Sequence, residues 1–179
     1  MVASPPGVAA GHFAVPGRLT VHSCPPPLCP HLEFALSTEL EQPVGLRWSA
    51  QRADPGTLTA AVDLLGVDGM AGRIAARLRR LGPVRFEVTE AASPGADAER
   101  YAYTPDLGLF RAALSANGDI VVTEGQLRAL LVESHDATAA AVTLAHGLER
   151  LLGTAWDEEL EPLRRGGAEA PVSWLRRVG

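Results

Sequence analysis

The spacing of apolar residues between 18 and 90 constrains this chain most. Leu19, Val21 and Ser23 alternate with Arg18, Thr20 and His22, the two-residue period of a strand. Three prolines follow, forcing an extended connection. Leu32, Ala35, Leu36 and Leu40 then recur at helical spacing, predicting a helix near 29–41. Pro30 suits its first turn, where a missing N–H costs nothing. Val44, Leu46, Trp48 and Ala50 alternate with Gly45, Arg47, Ser49 and Gln51, predicting a strand over 44–51. Asp54-Pro55-Gly56 is a turn signal. Leu58, Ala60, Val62 and Leu64 alternate again, so 57–65 should pair with 44–51 as a hairpin. Asp68 is placed to cap a second helix with core positions Met70, Ile74, Leu78 and Leu81, stopped by Gly82-Pro83. Val84, Phe86 and Val88 make a fourth strand.

The order strand, helix, strand, strand, helix, strand predicts an α+β fold with a ferredoxin-like split β-α-β core, its sheet antiparallel and both helices on one face. Residues 1–17, rich in Pro, Gly and Ala without period, read as a flexible tail, and 18–179 as a single domain. Residues 91–106 read as a polar loop. Leu107–Leu114 and Ile120–Val122 flank Asn117-Gly118, a β-hairpin signal, so a hairpin should extend the core. Thr123 and Gln126 match a capping box, opening a helix through Leu127, Leu130 and Leu131. Further helices are expected from Asp136 to about Leu152 and from Trp156 to Arg165, broken at Gly153-Thr154. Trp174 and Leu175 in the C-terminal tail are expected to fold back.

Composition narrows the chemistry. The chain has a net charge of −5, which disfavours a general role on nucleic acid or an anionic membrane. All 16 basic residues are arginine. Schiff-base chemistry, a Walker lysine and a lysine general base are therefore excluded. No run reaches the length of a membrane-spanning helix. The opening MVASPPGVAAGHFAVPG lacks a basic start followed by an apolar block, so no secretion leader is expected. Two cysteines do not make a disulfide framework, and the expected compartment is the cytoplasm.

His22, Cys24, Cys29 and His31 lie within ten residues and offer four ligands, the number a closed zinc site needs. His22 and Cys24, two apart on a strand, would share a face. The opposing reading is a small buried thiol among ordinary histidines, and no cofactor is expected. Cys29 with His31 has a second reading, since a helix N-terminus stabilises a thiolate. Cys-Pro-His after a strand suggests a thioredoxin-type start, but position 32 is leucine, leaving only a one-cysteine redox mechanism. Arg73, Arg77 and Arg80 share one helical stripe that could dock an acidic protein or a phosphate. Asp157, Glu158, Glu159 and Glu161 suit the first turn of a helix. Trp48, Trp156 and Trp174 read as packing. No Ser/His/Asp order, glycine-rich phosphate loop or H-E-x-x-H motif is present.

The segments CPHLEFALS, VRFEVTEAASPG, YTPDLGLF, SANGDI, GTAWDEELEP and VSWL, in that order, resemble an actinobacterial family of small proteins classed as a domain of unknown function. The resemblance implies a cytoplasmic protein with no known activity, cofactor or catalytic residue. It also implies genes beside those of type II fatty-acid synthesis, and a small residue such as alanine where this chain carries Cys24. The expected function is that of a non-catalytic binding or regulatory protein meeting acyl carrier protein, or another acidic protein, through Arg73, Arg77 and Arg80. The alternative is a thiol- or metal-dependent protein centred on Cys29 and His31. A homo-oligomer through an open sheet edge is the third expectation.

Overall fold

Eleven residues, Ala14–Cys24, form β1, and the sheet is built outward from it. The computed structural model describes residues 14–135 and 140–167. β1 starts four residues before the predicted strand, inside the stretch read as a tail. Where the three prolines predicted an extended connection, a 3-10 turn, Pro26–Leu28, leads into α1 (Cys29–Leu40), because the fixed φ of proline suits a 3-10 turn as well. β2 (Ser49–Ala50), β3 (Leu58–Val67), α2 (Met70–Leu78) and β4 (Arg85–Glu90) follow. β5 (Ala98–Thr104), β6 (Gly108–Leu114) and β7 (Ile120–Val121) complete the sheet. α3 (Glu124–His135), α4 (Ala140–Leu152) and α5 (Thr154–Gly167) come last.

The seven strands run in the order β2-β3-β1-β4-β5-β6-β7, every pair antiparallel. β3 lies between β1 and β2, and β1 lies between β3 and β4. Each strand-helix-strand unit is thus split by a strand of the other, and the fold is α+β. α1 and α2 cover one face. Leu19, Val21, Leu32, Leu36, Ile74, Leu78, Phe86 and Val88 are fully buried there. Removing each such side chain from water contributes roughly 1.5–3 kcal/mol. α5 covers the other face, with Leu160 and Leu163 against Ala102, Phe110 and Ala112. Gly153 makes the break before α5: its φ is +70°, and a Cβ there would stand 2.6 Å from the Phe110 ring.

Four further local expectations need correction. The strand over 44–51 shrinks to Ser49–Ala50. Its alternation is real, since Val44, Leu46 and Trp48 pack on the core. The Leu46 N–H and Trp48 Nε1–H, however, donate to Glu33 Oε1 at 2.9 Å, and the Val44 N–H donates to Ser37 Oγ at 2.9 Å. Side chains of α1 take the donors a strand partner would have used. Asp68 does not cap α2. Gly69 holds that position, and Glu90 of β4 accepts the N–H groups of Gly69 and Ala71 at 2.6 and 2.7 Å. The polar loop at 91–106 contains β5, whose Glu99, Arg100 and Thr104 masked its period. The last helix begins at Thr154, not Trp156, and runs to Gly167. The capping box stands as expected: Thr123 N–H donates to Gln126 Oε1 at 2.9 Å, and Gln126 N–H to Thr123 Oγ1 at 3.3 Å. Residues 1–13, the predicted helix start at 136–139, and Trp174 and Leu175 lie outside the described residues.

Candidate functional site

The register of β1 breaks near its end. Against β3, Val21 faces Ala60 while Cys24 faces Leu58; against β4, Val21 faces Phe86 while Ser23 faces Arg85. A bulge therefore lies between Val21 and Cys24. Side chains bond the carbonyls there. Thr59 Oγ1 donates to Val21 O at 2.8 Å, and Gln51 Nε2 donates to His22 O at 2.7 Å. Gln51 Nε2 also donates to Leu163 O at 3.0 Å, while its Oε1 accepts the Ala53 N–H at 3.0 Å. A buried carbonyl left unpaired costs about 1–3 kcal/mol, so this amide fastens α5 to the bulge.

The bulge also sets which way side chains point. Cys24 joins the core under α1, whereas His22 faces α5 beside Glu87. His22 Nε2 donates to Glu87 Oε2 at 2.6 Å. Arg100 donates to Glu87 Oε1 through Nε at 3.0 Å and Nη2 at 2.6 Å. Arg164, from α5, donates through Nε to Oε2 at 2.9 Å and through Nη2 to Oε1 at 2.7 Å. Asp157 Oδ1 receives the same two guanidinium groups, at 2.5 Å from Arg100 and 2.7 Å from Arg164. Two carboxylates and two arginines thus interlock between sheet and helix. Burial alone would raise the Glu87 carboxyl, but hydrogen bonds from His22 and Arg164 and the charge of Arg100 hold it well below the usual carboxylate range. Asp157 is lowered in the same way, its burial outweighed by Arg100 and Arg164. Glu87 and Asp157 in turn hold the Arg164 guanidinium charged.

Beside this cluster opens a cavity of about 650 Å³. It is lined by His22, Glu87 and Arg164 of the cluster, by Thr20 and Thr59 of the sheet, and by Arg47 and Trp48. The volume falls in the range of small-molecule sites. Arg18 also borders it, paired to Asp63 at 2.5 Å. Arg47 is exposed and makes no ion pair among the described residues.

The residues singled out from sequence fare differently. Cys24 and Cys29 are both buried and free, their Sγ atoms 3.7 Å apart. Burial pushes the Cys24 thiol up to about 12, with Cys29 adding to the rise. Burial raises Cys29 as well, against the opposing effect of its hydrogen bond with Cys24. Both shifts run against the activated thiolate read at Cys29, which lies buried at the start of α1. His31 is exposed on α1, and His22 lies across the sheet from both thiols, so the four proposed zinc ligands do not converge. No group of three or more His, Cys, Asp or Glu suited to a metal occurs among the described residues. Of the three arginines read as one stripe, Arg73 and Arg77 lie on α2, where Glu39 of α1 binds both, at 2.6 and 3.1 Å. Arg80 is exposed in the 3-10 turn Arg79–Leu81 after α2.

Sequence reading missed Glu87, Arg100 and Arg164, and took Asp157 as a first-turn carboxylate of its helix. A signal existed. Arg85, Glu87 and Thr89 alternate with Phe86 and Val88, giving a polar face of β4, and Asp157 and Arg164 are seven apart on one side of α5.

No helix among the described residues is long and apolar enough to cross a membrane. A family described as "Protein of unknown function (DUF3145)" matches residues 18–177. No curated protein and no solved structure matches the chain.

Proposed function

This chain belongs to the DUF3145 family of proteins of unknown function, and for it we propose a non-catalytic binding role with the cavity beside α5 as the working site. The ligand is a small molecule carrying one anionic group. One observation carries this reading: of the cations around the cavity, Arg47 alone lacks an ion pair among the described residues. Arg18 is matched by Asp63, and Arg164 by Glu87 and Asp157. Trp48, next to Arg47, also lines the cavity. Benzoate and inorganic phosphate, titrated against the full chain at constant ionic strength with chloride as reference, test this. Benzoate should bind, and Arg47→Ala should weaken it by about 10–100-fold, the range for losing a charged hydrogen bond. Arg80→Ala should leave it unchanged. Equal benzoate binding by wild type and Arg47→Ala would remove the reading.

A second reading keeps an acidic protein as partner, docking at the C-terminal end of α2. Arg79 and Arg80 make no ion pair among the described residues, while Arg73 and Arg77 share one carboxylate, so this end keeps surplus positive charge. Acyl carrier protein is the partner the family resemblance suggests, and a pull-down should retain wild type over Arg79→Glu/Arg80→Glu. Equal retention of both excludes it. The composition argument for a cytoplasmic location accompanies both readings.

A further inference from the structure

β3 is ten residues long, but only its first two are paired on the outer side. Ser49 faces Thr59 and Ala50 faces Leu58; Ala60–Val67 have β1 on one side and no strand on the other among the described residues. The cause lies upstream. Residues 44–48 alternate as a strand would, yet the Val44 and Leu46 N–H groups go to Ser37 and Glu33. α1 draws this segment into the helix layer, and the edge it would have covered stays open.

An open edge presents a row of unpaired backbone donors and acceptors, and proteins ordinarily blunt it with lysine, proline, a bulge or a covering element. Residues 60–67 read Ala-Ala-Val-Asp-Leu-Leu-Gly-Val, with no proline and no basic residue. The bulge of β1 lies level with Leu58, away from this stretch. Asp63 is the one charge, and Arg18 of β1 neutralises it. Leu65 and Val67, on the same face, are 59% and 44% exposed. At the opposite end of the sheet β7 pairs only Ala113 and Leu114, so Gly108–Ala112 of β6 also lack an outer strand among the described residues, but that stretch is shorter and carries the basic Arg111 that 60–67 lacks.

We infer that the protein forms a two-fold dimer in which the Ala60–Val67 edge pairs antiparallel with the same edge of a second copy. An antiparallel edge is self-complementary, because one row of groups supplies donors and acceptors to its two-fold mate. Centred on Leu64, the pairing sets Asp63 opposite the second copy's Leu65, Val62 opposite Gly66, and Ala61 opposite Val67. The two carboxylates do not oppose each other, and each keeps its own Arg18. The two-residue period is preserved, so on that face Val67 meets the second copy's Ala61, and Leu65, directly opposite Asp63, meets the second copy's Leu65 and Ala61 on the diagonals. This assignment is independent of the ligand reading.

Light scattering on the full chain, over about 1–100 μM, tests it in the range where modest interfaces assemble. The expected mass is twice the 18.8 kDa of one chain. Leu65→Lys/Val67→Lys should weaken the dimer at least ~10-fold with an unchanged circular dichroism spectrum, since both sites are exposed and lysine is the usual edge blocker. Leu131→Lys, at a 56% exposed apolar site on α3, should not. Amide exchange over 60–67 should slow as wild-type concentration rises. A monomer throughout the range, or an edge variant as dimeric as wild type, overturns the assignment; so does a dimer lost in Leu131→Lys.

Discussion

Glu87 shows how one side chain can hold two layers together. It arises on β4, yet its donors come from β1, β5 and α5. A buried carboxylate without such donors would cost several kcal/mol, and removing it leaves Arg100 and Arg164 facing each other with only Asp157 between them. Glu87→Gln should therefore lower stability at pH 7 by about 3–5 kcal/mol, measured by urea unfolding. The pH dependence has a definite sign. The folded carboxyl lies well below its ordinary 4.5, so below that pH the unfolded chain binds more protons than the native one. The stabilisation is complete above about 4.5 and is lost as pH falls toward the native value. Asp157 acts in the same direction from its ordinary 3.8. The wild-type urea midpoint should fall steadily below pH 4.5, and the Glu87→Gln midpoint less steeply. Parallel curves would mean that Glu87 carries no such linkage.

At the level of elements, the sequence was legible wherever one local rule governed. Leu19 and Val21, Val62 and Leu64, and Phe86 and Val88 declared their strands by period, and Thr123 with Gln126 declared a helix start by hydrogen-bond chemistry. Legibility ended where a distant residue supplied the partner. Period alone cannot separate a paired strand at 44–51 from a segment hung on Glu33 and Ser37, because both point the same side chains inward. Asp68 had the right type and place for a cap, yet Glu90, 19 residues beyond Ala71, took the role. The site was half legible for the same reason. His22 stood out, but reading it as a zinc ligand assumed an unbroken two-residue period. The bulge that turned it away from Cys24 depends on Thr59 and Gln51, which lie 38 and 29 residues away from the carbonyls they bind. Glu87 and Arg164, 77 apart, meet only once the sheet and α5 exist.

For the whole molecule, the two faces of the sheet are held by different forces. The face under α1 and α2 is apolar and deeply buried, from Leu32 and Leu36 to Leu78 and Phe86. The face under α5 has a small apolar cluster, and the interlocked charges of Glu87, Arg100, Asp157 and Arg164 do much of the holding. Such an arrangement should let α5 open without unfolding the core, since regions with fewer buried apolar contacts open at lower free energy. Amide exchange can separate the two openings. Leu78→Ala removes a fully buried side chain of the main core and should cost about 2–5 kcal/mol. Amides of β1, β4 and α2 that exchange by global unfolding should then speed up more than ~10-fold, one decade for each ~1.4 kcal/mol. Amides of α5 should keep their wild-type rates, because the core they leave behind is intact in both states of their own opening. Glu87→Gln must act on both groups, since its contacts are broken in either opening. If Leu78→Ala accelerates α5 by the same factor as β1, the helix has no opening of its own, and the charged cluster is as much a part of the cooperative core as Phe86.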